Sequence, residues 1–381
     1  MFPLTLVRRS TPALISAWAF GSLVSATPPI ASAATMPSTS NVITAASCSF
    51  EAVQAASASA AIGQTVSIPK GNCDWGAHQL TVQAGVTLKG AGRDLTVIRR
   101  TAVVPINTYL IRFDCWNGKS AALSDMTLVG AMLPNSDDRG LGLLNSCIDF
   151  KIANAKFTKF TFAGIEVRGA PKQRGVIYKS QFVNNYNPAR RNLGYGVVVF
   201  GDGTWPALEL GTINAVFVES NYMLGNRHHI ASNNGARYVF RYNTVEATDA
   251  TKDFAQVDAH GFSSAPQGTR SWEIYGNAFS ARLTGTARSS AGIGIRGGDG
   301  IIANNTFSSN IARPVLLQLE YGVVCGSSYI QNQIREAHIW SNTNGAITTL
   351  CPLSIAPNRE FYEMRRPSYK PFTYPHPLRT S

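Results

Sequence analysis

Apolar side chains in this chain come in short alternating runs. GIEVRG, GVVVFG, QVDAHG, GIGIRG and LLQLEYG each alternate apolar with polar or small residues and stop at glycine, the period of a strand with one buried face. Only SFEAVQAASASAA, from Ser49 to Ala61, has the period of a short amphipathic helix. No later stretch keeps a 3.6-residue apolar period over three turns, so the pattern predicts an all-β chain with one helix near its start.

The runs also repeat. YKSQF, VESNYM, RYNTV, YGNAF, ANNTF and WSNTN align on Phe182, Met223, Val245, Phe279, Phe307 and Asn344, with Phe157 before them. The steps between them, 25, 41, 22, 34, 28 and 37 residues, vary above a floor. Packed strands need a set length and surface turns do not, so this is the spacing of a solenoid. Asn243, Asn277, Asn305 and Asn342, with Asn221 similar, recur at one place in the motif. Stacked asparagines bond one another and tolerate the left-handed backbone of a tight bend, as in a parallel β-helix. We expect a single right-handed parallel β-helix of eight to ten coils between about residues 60 and 350, its open end capped by the helix because a bare terminal coil exposes core and strand edge.

GQTVSIPKGNCDW followed by GVTLKGAGRDLTVI resembles the opening coils of secreted right-handed parallel β-helix proteins of the pectate-lyase-like superfamily. The resemblance extends over nearly all of the chain after its leader. It implies a fold and not a reaction, because that superfamily holds lyases, hydrolases, epimerases and binders.

The ends are different in character. Arg8 and Arg9 precede the apolar run ALISAWAFGSLVSA, and ASA at 31–33 suits a signal peptidase, so residues 1–33 read as a signal peptide and 34–47 as a linker. The β-helix domain is then 48–362. RRPSYKPFTYPHPLRTS, within a proline-rich tail at 363–381, cannot form a helix or central strand and is expected to lie extended along the solenoid, Tyr369, Phe372 and Tyr374 covering apolar surface. His376, between prolines, reads as structural.

Cysteine and charge then set the compartment and the partner. Six cysteines with no CxxC spacing favour disulfides in an oxidising compartment, and nearest neighbours pair as Cys48–Cys73, Cys115–Cys147 and Cys325–Cys351. No second apolar run of membrane length follows the leader, so a secreted or periplasmic monomer without membrane insertion is expected. The formal charge is +12, of which Arg8 and Arg9 carry two, leaving a basic chain that steers polyanions. No Lys/Arg cluster is interleaved with aromatics, which argues against nucleic acid and for an acidic polysaccharide.

Stacking the glycine-ended strands aligns their outward residues. One outward column reads Arg168, Phe200, Asn234, His260, Arg296 and Glu320, and its neighbour Glu166, Val198, Ser232, Asp258, Gly294 and Gln318; a one-residue slip puts Asn233 in place of Asn234. Just upstream, His228 and His229 adjoin on one strand, so at most one faces out, and His229 is the one assigned to the groove. Arg241 either reaches the groove or ties a coil corner. Asp249, Asp253 and Asp258 are hard oxygen ligands of the kind Ca²⁺ takes, but their spacing specifies no site.

These groups suit β-elimination on a uronic-acid polymer. The C5 proton becomes acidic once the adjacent carboxylate is neutralised. Arg296, Arg168 and Asn234 suit that neutralisation, and His260, oriented by Asp258, suits proton transfer. The strand end AHG resembles the Arg-His-Gly end found in the chondroitinase B and alginate lyase group of β-helix lyases. Here His260 takes the arginine's outward place, and Asn233 or Asn234 stands where that group has lysine, so the group's mechanism does not transfer whole. Two alternatives stay open: glycoside hydrolysis by paired carboxylates, Asp258 with Glu320, Asp299 or Glu166, and a non-catalytic carbohydrate-binding or adhesive solenoid whose Phe200, Trp205, Tyr195 and Tyr321 stack on sugars.

Overall fold

Stacking the repeats buries their last residues in one column. The computed structural model describes residues 41–169, 173–262, 267–326 and 333–380. In it Phe157, Phe182, Met223, Val245, Phe279 and Phe307 pair in turn, all in parallel. Their side chains are buried, and the rings stack at 5.1 Å (Phe157 on Phe182) and 4.8 Å (Phe279 on Phe307). Each contributes roughly 1.5–3 kcal/mol by leaving water.

Among the described residues the strands form three parallel sheets of twelve, ten and nine strands. The chain visits them in a fixed order. Tyr195–Phe200 lies in the ten-stranded sheet, Val216–Glu219 in the twelve-stranded and Tyr222–Leu224 in the nine-stranded, before His228–Asn233 returns to the ten-stranded sheet one coil on. This is the expected right-handed parallel β-helix.

The asparagine ladder sits at the corner between the twelve- and nine-stranded sheets. Nδ2 of Asn221 donates to Oδ1 of Asn243 at 3.1 Å, and the same bond continues at 3.0 Å through Asn277, Asn305 and Asn342. The left-handed residue is the one before each asparagine: Ser220, Tyr242, Gly276, Asn304 and Ser341, with φ between 52° and 68°. The ladder asparagine therefore satisfies the turn's buried polar groups while its neighbour makes the bend.

The helix Phe50–Ser59 caps the first coils, with Ser49 accepting from the Ala52 amide at its N-terminus and Phe50, Val53 and Ala56 buried. All three disulfides join neighbouring coils as expected: Cys48–Cys73, Cys115–Cys147 and Cys325–Cys351. They place the chain in an oxidising, extracytoplasmic compartment. No helix among the described residues is long and apolar enough to cross a membrane. A strand, Val42–Thr44, occupies part of the segment read as a linker, and the last strand is Phe361–Tyr362. The leader at 1–33 lies outside the described residues.

Beyond Tyr362 the chain runs back along the outer face of the twelve-stranded sheet. Tyr369 joins an apolar cluster on that face with Val176, Phe217, Val239, Tyr275 and Ile301, and Phe372 packs against the cluster. Arg366 bonds Glu336 at 2.8 Å, Tyr369 Oη bonds Glu273, and Arg379 bonds Glu219 at 2.9 Å. His376 is buried in this interface, the structural role expected of it.

Candidate functional site

The strand Ala255–Ala259 turns Val257 and Ala259 into the core and Asp258 outward, and His260 follows at the strand's end. One coil on, Ala259 pairs with Ile295, which sets Arg296 beside His260. Arg296 joins the cluster. Its Nη2 and Nε reach Asp258 at 2.5 and 3.2 Å, its Nη1 reaches Glu320 at 2.5 Å, and Nη2 lies 2.7 Å from His260 Nε2. His260 Nε2 is 3.1 Å from Asp258 Oδ2, and its Nδ1 is 3.2 Å from Glu320 Oε2. The Gly261 and Tyr321 amides donate to Glu320 at 2.9 and 2.8 Å.

Burial and charge oppose one another here, and charge wins. Burial alone pushes both carboxyls up, yet Arg296 and the histidines hold Asp258 well below the usual carboxylate range, and His260 and Arg296 hold Glu320 down. Burial works against the His260 imidazolium, but Asp258 and then Glu320 carry its pKa up to about 9. Two carboxylates, a guanidinium and an imidazolium leave the cluster without net charge. The cations lie outermost: the side chains of His260 and Arg296 keep 27% and 15% of their exposure, against 4% for each carboxylate.

The register corrects several of the expected positions. Phe200 pairs with Asn233, so Asn233 holds the outward place and Asn234 is the left-handed turn residue after it. Val198 pairs with Ala231, which pairs with Asp258, so Ser232 points inward. Leu317 pairs with Ile295. Gln318 therefore takes the place beside Arg296, and Glu320 reaches the cluster from the turn beyond the strand.

The histidines are exchanged relative to expectation. Inward–outward alternation breaks where the chain enters the ten-stranded sheet, so His229 and Ile230 are both fully buried. His229 bonds Asn226 at 3.0 Å, and burial lowers its pKa to about 3. It is not a groove residue. His228 is the one at the cluster, its Nδ1 2.5 Å from the Ala255 carbonyl and its Nε2 3.5 Å from Asp258; burial makes it neutral, lowering its pKa to about 3. Histidine identity alone gave no signal for choosing between the two.

Arg241 does not join the site. It lies on the twelve-stranded sheet, bonded to Glu219 at 2.7 Å and to the Phe372 and Thr373 carbonyls of the tail. Arg168 and Asn234 share the edge of the ten-stranded sheet with His260 without touching it. Arg168 bonds Glu166 at 2.7 Å, stacks 4.2 Å over Phe200, and lies three strands away, about 14 Å. Between the two charged clusters Val198 and Ala231 are buried with Phe162 and Ala163, and Leu193, Tyr195 and Phe200 pack against them. No group of three His, Cys, Asp or Glu among the described residues is arranged to hold a metal ion; Asp258 is engaged by Arg296, and Asp249 accepts from the Thr284 amide.

No family model matches this chain, and no curated protein matches it. Among solved structures it is similar to Geobacillus virus E2 ORF18 (16% identity, 78% of this chain and 55% of that one, TM-score 0.46). It is also similar to the Dettilon tailspike protein (15% identity, 81% and 62%, TM-score 0.48). A third is the catalytic unit of a GH87 alpha-1,3-glucanase from Streptomyces thermodiastaticus (16% identity, 83% and 64%, TM-score 0.40). The chain spans less than two thirds of the length of each.

Proposed function

We propose that this chain is a secreted lyase that binds an acidic polysaccharide along the outer face of the ten-stranded sheet and cleaves it by β-elimination. The observation that carries this reading is the layering of the cluster: its carboxylates lie beneath and its imidazolium and guanidinium lie toward the groove. Such a surface attracts a uronate carboxylate and stabilises the charge that develops on it when C5 loses its proton.

The proton transfer is assigned to His260. The ring is the imidazolium below about pH 9; in molecules that have lost the Nε2 proton Arg296 donates to that nitrogen, and a uronate carboxylate that draws the guanidinium outward frees it. The freed nitrogen takes the C5 proton, the C–H electron pair becomes the C4–C5 double bond, the C4–O bond breaks, and the imidazolium returns the proton to the departing oxygen. Glu320 orients the neutral ring by accepting from Nδ1–H, Asp258 beside Nε2 stabilises the imidazolium once the proton has been taken, and Arg296 neutralises the substrate. Hydrolysis by paired carboxylates is less well supported, because it needs one carboxylic acid with a raised pKa and both carboxyls here are held down. Non-catalytic binding is the second reading, favoured by the mutual bonding of the four groups.

The test exposes the protein without its leader to acidic and neutral polysaccharides, following the ultraviolet absorbance of unsaturated uronates and reducing ends together. Both signals rising on an acidic polymer is the expected result. Reducing ends without absorbance would replace the lyase by a hydrolase, and retention of polymer with neither signal would make the chain a binder.

A further inference from the structure

We infer that the recess beside Trp116 is a sugar-binding subsite that anchors a distant unit of the same acidic polymer. This rests on the polysaccharide reading above and is independent of cleavage. The recess, about 810 Å³ in volume, is formed by the turns that follow successive strands of the ten-stranded sheet, from Tyr109–Asp114 to His228–Asn233. That row of strand ends continues directly to His260 and Arg296. Trp116 and the reacting cluster are separated by five strand spacings, about 24 Å.

Its floor is apolar and fixed. Trp116 is 66% exposed, large for an indole, and Ile148 lies across from it. Trp116 follows Cys115 and Ile148 follows Cys147, and the buried Cys115–Cys147 bridge ties the roots of the two walls together. Asn117, Gly118, Asn145 and Ser146 in these walls are all left-handed, with φ of 60° to 70°. Backbone held in sparsely populated conformations over a rigid support is a feature of ligand sites. Gly201 is required by close approach, since a Cβ there would lie 2.2 Å from the Asn234 carbonyl.

The polar groups suit a sugar acid. The Arg168 side chain, 47% exposed, lies flat on Phe200 at the recess wall, placed for a carboxylate. Oδ1 of Asn234 is buried in the wall and has no hydrogen-bond partner among the described residues, an acceptor suited to a hydroxyl. An exposed indole face with a few convergent polar groups is how proteins hold a pyranose ring. On the way from Trp116 to His260 the row of strand ends presents Arg168 stacked on Phe200, a cation and an aromatic face that an acidic chain can follow, while Val198 and Ala231 lie buried beneath.

Calorimetry of the His260→Ala protein with oligogalacturonates and oligoalginates of two to eight units tests this, with malto-oligosaccharides as the uncharged control. Affinity should rise at least tenfold once an oligomer is long enough to join the two regions. Trp116→Ala should remove that rise, Trp116→Phe should restore most of it, and Arg168→Gln should remove the preference for acidic over neutral chains. Equal affinity at all lengths, or an unchanged length dependence in Trp116→Ala, overturns the subsite. Length-dependent binding by a wild-type protein that cleaves nothing overturns the lyase and leaves the subsite standing.

Discussion

Two arginines on the outside of the solenoid keep near-identical company under different cover. Arg241 bonds buried Glu219 and has His376 nearby; Arg296 bonds buried Asp258 and has His260 nearby. The tail covers the first group. Arg241 and Glu219 are fully buried, the Tyr275 hydroxyl and two tail carbonyls take the remaining guanidinium N–H groups, and the His376 ring packs on Phe217 and Phe372. His376 offers Glu219 only its backbone amide, at 3.0 Å. Burial therefore prevails and lowers its pKa to about 4. His260 turns its ring nitrogens to two carboxylates and rises to about 9. Residue type does not distinguish the two clusters; ring orientation and cover do.

The largest effect that sharpens this contrast is on turnover. His260→Ala should lower it by ~10²–10⁴-fold with the fold intact, as loss of a proton-transfer group does, whereas His376→Ala should leave turnover per folded molecule unchanged. Assaying both variants beside their melting curves decides, and an active, folded His260→Ala protein would remove His260 from the mechanism. Next comes stability. Arg241→Ala leaves Glu219 buried without its guanidinium and should cost about 3–5 kcal/mol in denaturant unfolding; Arg296→Ala, in the more open cluster, should cost less while reducing turnover. Equal losses would mean that both clusters are struts.

The smallest effect is on pH dependence, where the two histidines act with opposite sign. His260 has its folded pKa raised above the unfolded value, so its contribution is complete below about pH 6.5 and disappears as pH rises through about 9. His376 has its folded pKa lowered to about 4, so its contribution is present above about pH 6.5 and is lost as pH falls toward 4. His228 and His229 add to that acid limb. Melting temperature against pH should lose its alkaline slope in His260→Ala and part of its acid slope in His376→Ala. On the proposed mechanism, activity also climbs toward pH 9 as the neutral ring becomes available.

What could be read from the chain depended on whether a contact is periodic. The Phe157-to-Phe307 column and the asparagine ladder recur coil by coil, so spacing located them, and the three disulfides each join cysteines that are neighbours in sequence. The cluster's main pair was legible because Asp258 lies on a regular strand and His260 directly follows it. His228 and His229 were exchanged because alternation breaks at a corner that periodicity does not mark. Glu320 was placed on a strand that ends at Leu317. Arg241 resembled a groove residue because the carbonyls that enclose it come from 131 and 132 residues away, beyond any local pattern.

The returning tail changes how the solenoid holds together. In a stack whose coils touch only their neighbours, stability is close to a sum of nearest-neighbour terms, and unravelling can start at either end and advance one coil at a time. Here one extended segment grips Glu219, Arg241 and Glu273 on three separate strands of one sheet and Glu336 just ahead of a fourth. Those coils cannot part individually without releasing the whole segment, so an otherwise one-dimensional array acquires a block with all-or-none character. The coils before Val176, which the segment does not grip in this way, keep the ordinary freedom of a solenoid end to fray.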